Sequence, residues 1–167
     1  MAQLELKHLA PYLPYGLKMY AASGKPKRRS EIEVLTTLNY HTLVSVLRRK
    51  PILHPLSDLT KEIEVNGEKF VPIVFIGEML GYKLSKFEVD GQTEYGWDQK
   101  SYDDSQGYSF GWWQDGGCFA VWYDCINGDP IDTVLDINTM QKLFEWHFDV
   151  FNLIPEGLAI DINTLEK

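Results

Sequence analysis

A chain of 167 residues suits one domain with a substantial core. Hydrophobic residues at 44% and charged residues at 24% are globular values, and no apolar run approaches the ~20 residues of a membrane helix. Two cysteines, Cys118 and Cys125, are too few for a secreted disulfide scaffold.

Both thiols are therefore expected free, in a reducing cytosol. They lie seven residues apart, so on one strand they point to opposite faces and should not be bonded to each other. The first residues show no basic segment followed by an apolar one, so no signal peptide is expected. The net charge of −8 is unevenly spread. Residues 1–87 carry 13 Lys/Arg against 8 Asp/Glu, a balance of +5; residues 88–167 carry 3 against 16, a balance of −13. The positive half includes two short runs, Lys25-Pro26-Lys27-Arg28-Arg29 and Arg48-Arg49-Lys50. They read as solvated loops. Lys25, Lys27, Arg28 and Arg29 could touch phosphate weakly, but the acidic half repels nucleic acid.

Along the chain, Pro11 and Pro14 confine residues 6–16 to a short helical turn. Residues 16–22 read as a strand, and residues 23–30 have loop composition. Residues 31–47, rich in Val, Thr, Leu and Tyr, predict a strand and a turn near Asn39. A second strand or a short helix follows. Pro51 and Pro55 make residues 50–63 an extended connector. Asn66-Gly67 is a hairpin turn signal. Residues 69–81 fit either strand or helix, since Pro72 suits a helix N-terminus or a sheet edge. Residues 90–107 are polar, acidic and glycine-rich, and read as a long loop.

Residues 107–125 predict a hairpin about Asp115-Gly116, pairing Trp113 with Cys118, Trp112 with Phe119, Phe110 with Val121 and Tyr108 with Tyr123. One face is then Tyr108, Phe110, Trp112, Phe119, Val121 and Tyr123, and a slip by one would scramble it. Such a face is either an aromatic binding platform or, as period-two aromatics usually are, core.

Residues 140–151 predict a helix. Met140, Leu143, Phe144, His147, Val150 and Phe151 fall on one side, and Gln141, Lys142, Glu145 and Asp149 on the other. The triplet Glu145, His147, Asp149 then cannot converge on a metal or substrate, unlike two histidines at i and i+4. His147 is expected as a buried, hydrogen-bonded core residue, with Glu145 and Asp149 in solvent. Asn138 with Gln141 resembles a capping box, Asn152 suits the helix C-terminus, and Pro155 with Glu156-Gly157 turns the chain into a short strand over 158–162. The phenylalanines and tryptophan of this stretch should anchor the core. The tetrapeptide Asp-Ile-Asn-Thr occurs at 136–139 and 161–164. It lacks the second acid of the Asp-x-Asp-x-Thr phosphatase pattern and reads as a helix cap in both copies. No phosphate-cradling glycine loop and no nucleophile elbow is present.

Three blocks, 9–18, 50–74 and 143–165, resemble a family of short uncharacterised proteins of Bacteroidetes phages, prophages and mobile elements. The resemblance implies expression inside a bacterial host, in its cytoplasm, and brings no activity, cofactor or site residues. Together these features predict one α+β domain over residues 1–167. An antiparallel sheet would pack on a C-terminal helix that leads into a short strand. They predict no catalysis, cofactor or metal site. The expected function is protein binding through an acidic surface of Asp98, Asp103, Asp104, Asp115 and Asp129. The alternative is a small ligand-binding protein or hydrolase using the aromatic hairpin 107–125 and the acidic loop 90–107.

Overall fold

The computed structural model describes residues 3–20, 32–46, 48–81, 83–89, 92–97, 108–115, 118–125, 131–133 and 137–165. For 45–46, 87–89, 92–94, 96–97 and the strands between 108 and 133 it describes the backbone alone. In chain order come α1 (Leu6–Leu9), a 3-10 helix (Ala10–Tyr15), β1 (Lys18–Tyr20) and β2 (Ile32–Val34). A π-helical turn (His41–Val46), β3 (Lys50–Leu53) and a second 3-10 helix (Leu56–Thr60) follow. Next are β4 (Ile63–Val65), β5 (Glu68–Phe70), α2 (Pro72–Met79), β6 (Ser85–Val89) and β7 (Gln92–Trp97). The chain continues with β8 (Tyr108–Asp115), β9 (Cys118–Cys125), β10 (Ile131–Thr133) and α3 (Ile137–Glu145). It closes with β11 (Ile160–Asp161) and a 3-10 turn (Ile162–Thr164). This is an α+β fold in which antiparallel pairing dominates. The chain divides into two compact units, Met1–Leu56 with Met140–Lys167, and Ser57–Thr139.

The first unit is built on a four-stranded sheet in the order β11-β3-β1-β2. β1 runs antiparallel to β2 and β3, while β11 joins β3 in parallel. Residues 50–53, expected to be connector, are thus an interior strand; Pro51 is tolerated because it lies at the strand start. Side chains alternate along these strands. Leu17, Met19, Leu35 and Leu53 point one way, into a core they share with Leu9, Tyr12, Leu43, Leu153 and Ala159. The turn before the π-helical segment is capped reciprocally: Thr36 N–H donates to Asn39 Oδ1 at 2.7 Å, and Asn39 N–H to Thr36 Oγ1 at 3.3 Å.

The second unit holds a five-stranded sheet, β10-β9-β8-β7-β6, and the hairpin β4-β5. Asn66 and Gly67 have φ of 54° and 85°, the two positive values that a two-residue turn with right-handed strand twist demands. The ambiguous stretch 69–81 resolves into the end of β5 and then α2. Pro72 opens that helix, where its missing N–H leaves no bond unmade.

The β8-β9 hairpin forms, but in a different register. Asp115 pairs with Cys118, Trp112 with Val121 and Tyr108 with Cys125. Asp115, expected in the turn, is therefore a paired residue of β8. A shift of two residues along one strand preserves the alternation, so Tyr108, Phe110 and Trp112 still share a face position with Val121 and Tyr123. The facing pattern decides parity and leaves registers two residues apart equivalent. Cys118 and Cys125 occupy the two ends of β9. Seven strand steps separate them by about 23 Å, far beyond the ~7 Å limit for bridging cysteines. The expected packing of this hairpin on the C-terminal helix rests on side chains outside the described residues.

Candidate functional site

The Glu145-to-Asp149 triplet is where the sequence concentrates ionisable groups beside a core. The helix predicted through Phe151 stops at Glu145. Its termination is a Schellman motif: His147 N–H donates to Phe144 O at 3.1 Å and Phe148 N–H to Leu143 O at 2.8 Å. His147 occupies the left-handed position, φ 58°, that usually falls to Gly or Asn. The accompanying apolar contact positions belong to Leu143 and Phe148, both fully buried. The same pair of bonds recurs one reversal later, where Gly157, φ 69°, donates to Ile154 O and Leu158 to Leu153 O.

Breaking the helix at Glu145 overturns the predicted facing. Asp149, expected in solvent, is 3% exposed. Its Oδ1 accepts Leu153 N–H at 2.8 Å and its Oδ2 accepts Ile154 N–H at 2.7 Å. Burial pushes its carboxyl above the ordinary value, and the backbone donors of Ile154, Leu153 and Phe151 pull it back down. His147, expected buried, is half-buried. Its Nε2 lies 3.0 Å from Tyr15 O. A carbonyl only accepts, so Nε2 carries the proton and Nδ1 is the titrating atom. Burial holds His147 below its usual range, Tyr15 O opposes this, and His54 and Lys18 add to the lowering. Glu145, also expected in solvent, is half-buried, with an ion pair to Lys142 at 2.9 Å.

Tyr12 completes the cluster. Pro11 and Pro14 restrict φ on either side of it, and its ring is fully buried. The hydroxyl donates to Phe148 O at 2.6 Å. The Phe144 ring meets Tyr12 edge-on at 5.0 Å, and Phe151 does so at 6.3 Å. Burial first, and then the Asp149 carboxylate, push the phenol far above its ordinary range. The reversal is also sewn to the end of β3, since His54 N–H donates to His147 O and Asp149 N–H to His54 O, both at 2.9 Å.

The bonds of Tyr12, His147 and Asp149 named above all run to backbone atoms, none to one another. The arrangement clips the reversal 146–154 onto the N-terminal segment and β3. It lacks the nucleophile–base hydrogen bond of covalent catalysis. Among the described residues no group of three or more His, Cys, Asp or Glu could hold a metal. Tyr12 went unnoticed in the sequence; an aromatic framed by two prolines was the available signal. The Asp-Ile-Asn-Thr copy at 161–164 is a cap, but through Asp161, whose Oδ1 accepts Asn163 N–H at 2.8 Å. In the first copy α3 begins at Ile137, so Asn138 lies inside the helix, not at its cap.

Of the residues expected to form the acidic surface, Asp98, Asp103, Asp104 and Asp129 lie outside the described residues. So do Lys25, Lys27, Arg28 and Arg29. Of the stretch 90–107, expected as a loop, residues 92–97 instead form β7, paired with β6 and β8, and the rest lies outside the described residues. Asp115 is the last residue of β8, opposite Cys118, in a strand and not the loop expected. No helix among the described residues is long and apolar enough to cross a membrane. No family model, curated protein or solved structure matches the chain.

Proposed function

We propose that the chain is a non-enzymatic accessory protein that binds a basic host or phage protein through an acidic surface. The observation that carries this reading is the charge asymmetry, −13 over residues 88–167 against +5 over residues 1–87. Asp149 is consumed by the clip, and Asp161 caps a turn. Asp98, Asp103, Asp104, Asp115 and Asp129 are the acids assigned to the partner. Such a surface steers a basic protein towards it and repels phosphate. The commitment of Tyr12, His147 and Asp149 to backbone supports binding over catalysis. The phage-related setting and a bacterial cytoplasm follow from the resemblance of the three sequence blocks alone.

The test is affinity capture from bacterial lysate with the wild-type chain and with a variant carrying Asn at those five positions. The captured protein is then purified and its association rate measured against ionic strength. Loss of capture by the variant, and an on-rate that falls as salt rises, are expected. Salt-resistant, sequence-specific DNA binding in a gel shift would sink the proposal.

A further inference from the structure

The tip of the β4-β5 hairpin sets a chemically labile side chain beside an unhindered nucleophile. Asn66 and Gly67 form its two-residue turn, between the paired residues Val65 and Glu68, and both are exposed. The Asn66 carboxamide carbon and the Gly67 amide nitrogen can close a five-membered ring with the Cβ, Cα and carbonyl carbon between them. Holding both reactants in one chain makes the reaction intramolecular, so access to the nitrogen governs its rate. Gly67 has no Cβ, and a Cβ built there would meet no atom within 4 Å, so the approach is open. The strand ladder ends at Val65 and Glu68, so closure needs rotation within the turn alone.

The other described asparagines are guarded. Asn39 Oδ1 accepts Thr36 N–H at 2.7 Å and its Nδ2 donates to Val34 O at 2.9 Å, which fixes the carboxamide. Asn152 shares the left-handed backbone, with φ 59°, but the next amide, Leu153 N–H, is buried in its bond to Asp149 Oδ1 at 2.8 Å. Asn138 and Asn163 each precede a threonine, whose β-branched side chain crowds the nitrogen. Asn127-Gly128, the second Asn-Gly pair, lies outside the described residues.

We propose that Asn66-Gly67 is a self-modification site, where the chain converts Asn66 to aspartate and isoaspartate with water as the only co-reactant. Gly67 N bonds to Asn66 Cγ and the Cγ–Nδ2 bond breaks. The nitrogen leaves as ammonia and carries away, through solvent, the proton that Gly67 N has lost. One water then opens the succinimide. Attack at Cγ gives aspartate, and attack at the main-chain carbonyl gives isoaspartate, whose backbone runs through Cβ. Either product adds a negative charge to a tip that already carries Glu64 and Glu68. Isoaspartate also lengthens the main chain by one carbon, which a two-residue turn matched to the strand twist does not accommodate. The site therefore loosens its own hairpin, independently of the acidic surface proposed above.

The test incubates the folded full chain at neutral and mildly alkaline pH, beside a synthetic peptide of the sequence Glu62–Lys69. Trypsin releases that same segment from the chain, with Asn66 as its only asparagine, and mass spectrometry reads the exchange of amide for acid. Asn66 should convert at a rate within tenfold of the synthetic peptide, and at least tenfold faster than the asparagines in tryptic segments 30–48 and 143–167. The rate should rise with pH, because the deprotonated amide is the nucleophile, and Gly67→Ala should slow it at least tenfold. The isoaspartyl fraction, identified by isoaspartate methyltransferase labelling and separated by ion exchange, should show at least tenfold faster hydrogen exchange at Val65 and Glu68. Asn66→Asp, which adds the charge without the extra carbon, should not. The proposal is overturned if the synthetic peptide converts while the folded chain does not, if Gly67→Ala converts as the parent does, or if the isoaspartyl fraction exchanges like the parent.

Discussion

Asp149→Ala isolates what the clip contributes. The carboxylate holds the amides of Leu153 at 2.8 Å and Ile154 at 2.7 Å. Leu153 is fully buried and Ile154 half-buried, so water reaches the second orphaned N–H more easily than the first. An unsatisfied buried donor costs about 1–3 kcal/mol, which gives about 2 for Leu153 and about 1 for Ile154. Removing the buried charge returns some desolvation, so about 3 kcal/mol is an upper figure. Asp149→Asn keeps an acceptor for Leu153 but turns an amide towards Ile154 N–H, and should cost about half as much. Urea unfolding followed by far-ultraviolet circular dichroism gives the global change. Amide hydrogen exchange at Leu153 and Ile154 reads the local one, expected to speed up roughly 100-fold in the alanine variant and about tenfold in the asparagine variant. Losses below about 1 kcal/mol in both, or equal losses in the two, would refute the account.

Tyr12→Phe removes the hydroxyl from Phe148 O, which still accepts Val150 N–H at 3.0 Å, so urea unfolding should show a loss of only about 1 kcal/mol. Tyr12→Ala also empties a core site and should cost about 3–5 kcal/mol. The His147 pKa is lowered on folding, so its contribution is complete above the ordinary value of 6.5 and is lost as pH falls below it, where the unfolded chain binds more protons. Asp149, whose pKa is raised, contributes in the opposite sense, stabilising below its ordinary value of 3.8 and less as pH rises through its folded value. His147→Asn tolerates the left-handed backbone and does not titrate. Its stability should fall less between pH 7 and pH 5 than the parent's, and an equal fall would exclude His147 as the source. Gly67→Ala meets no atom within 4 Å but must hold φ at 85°, so thermal unfolding should show a loss of about 1 kcal/mol from backbone strain alone.

Local chemistry determined much of this molecule before any contact was known. Asn66-Gly67 specified a hairpin because both residues tolerate positive φ, and that preference is a property of the dipeptide. Pro11 and Pro14 limited the first segment to a short helix, and the apolar alternation of 108–125 specified strand faces. The tertiary structure decided what local preference leaves degenerate. Two registers of β8 and β9 that differ by two residues present the same faces, so the face pattern left the choice between them open. Residues 50–53 carry a proline, yet β1 and β11 on either side made them an interior strand. The 140–151 periodicity continued past the true helix end, because nothing in His147 announces a left-handed residue. The buried Leu143–Phe148 pair and the bonds of His54 to His147 and Asp149 hold it there. That one residue turned Asp149 from the expected solvent face into the core, where two backbone amides separated by only four and five positions, but oriented by the whole reversal, were waiting for an acceptor.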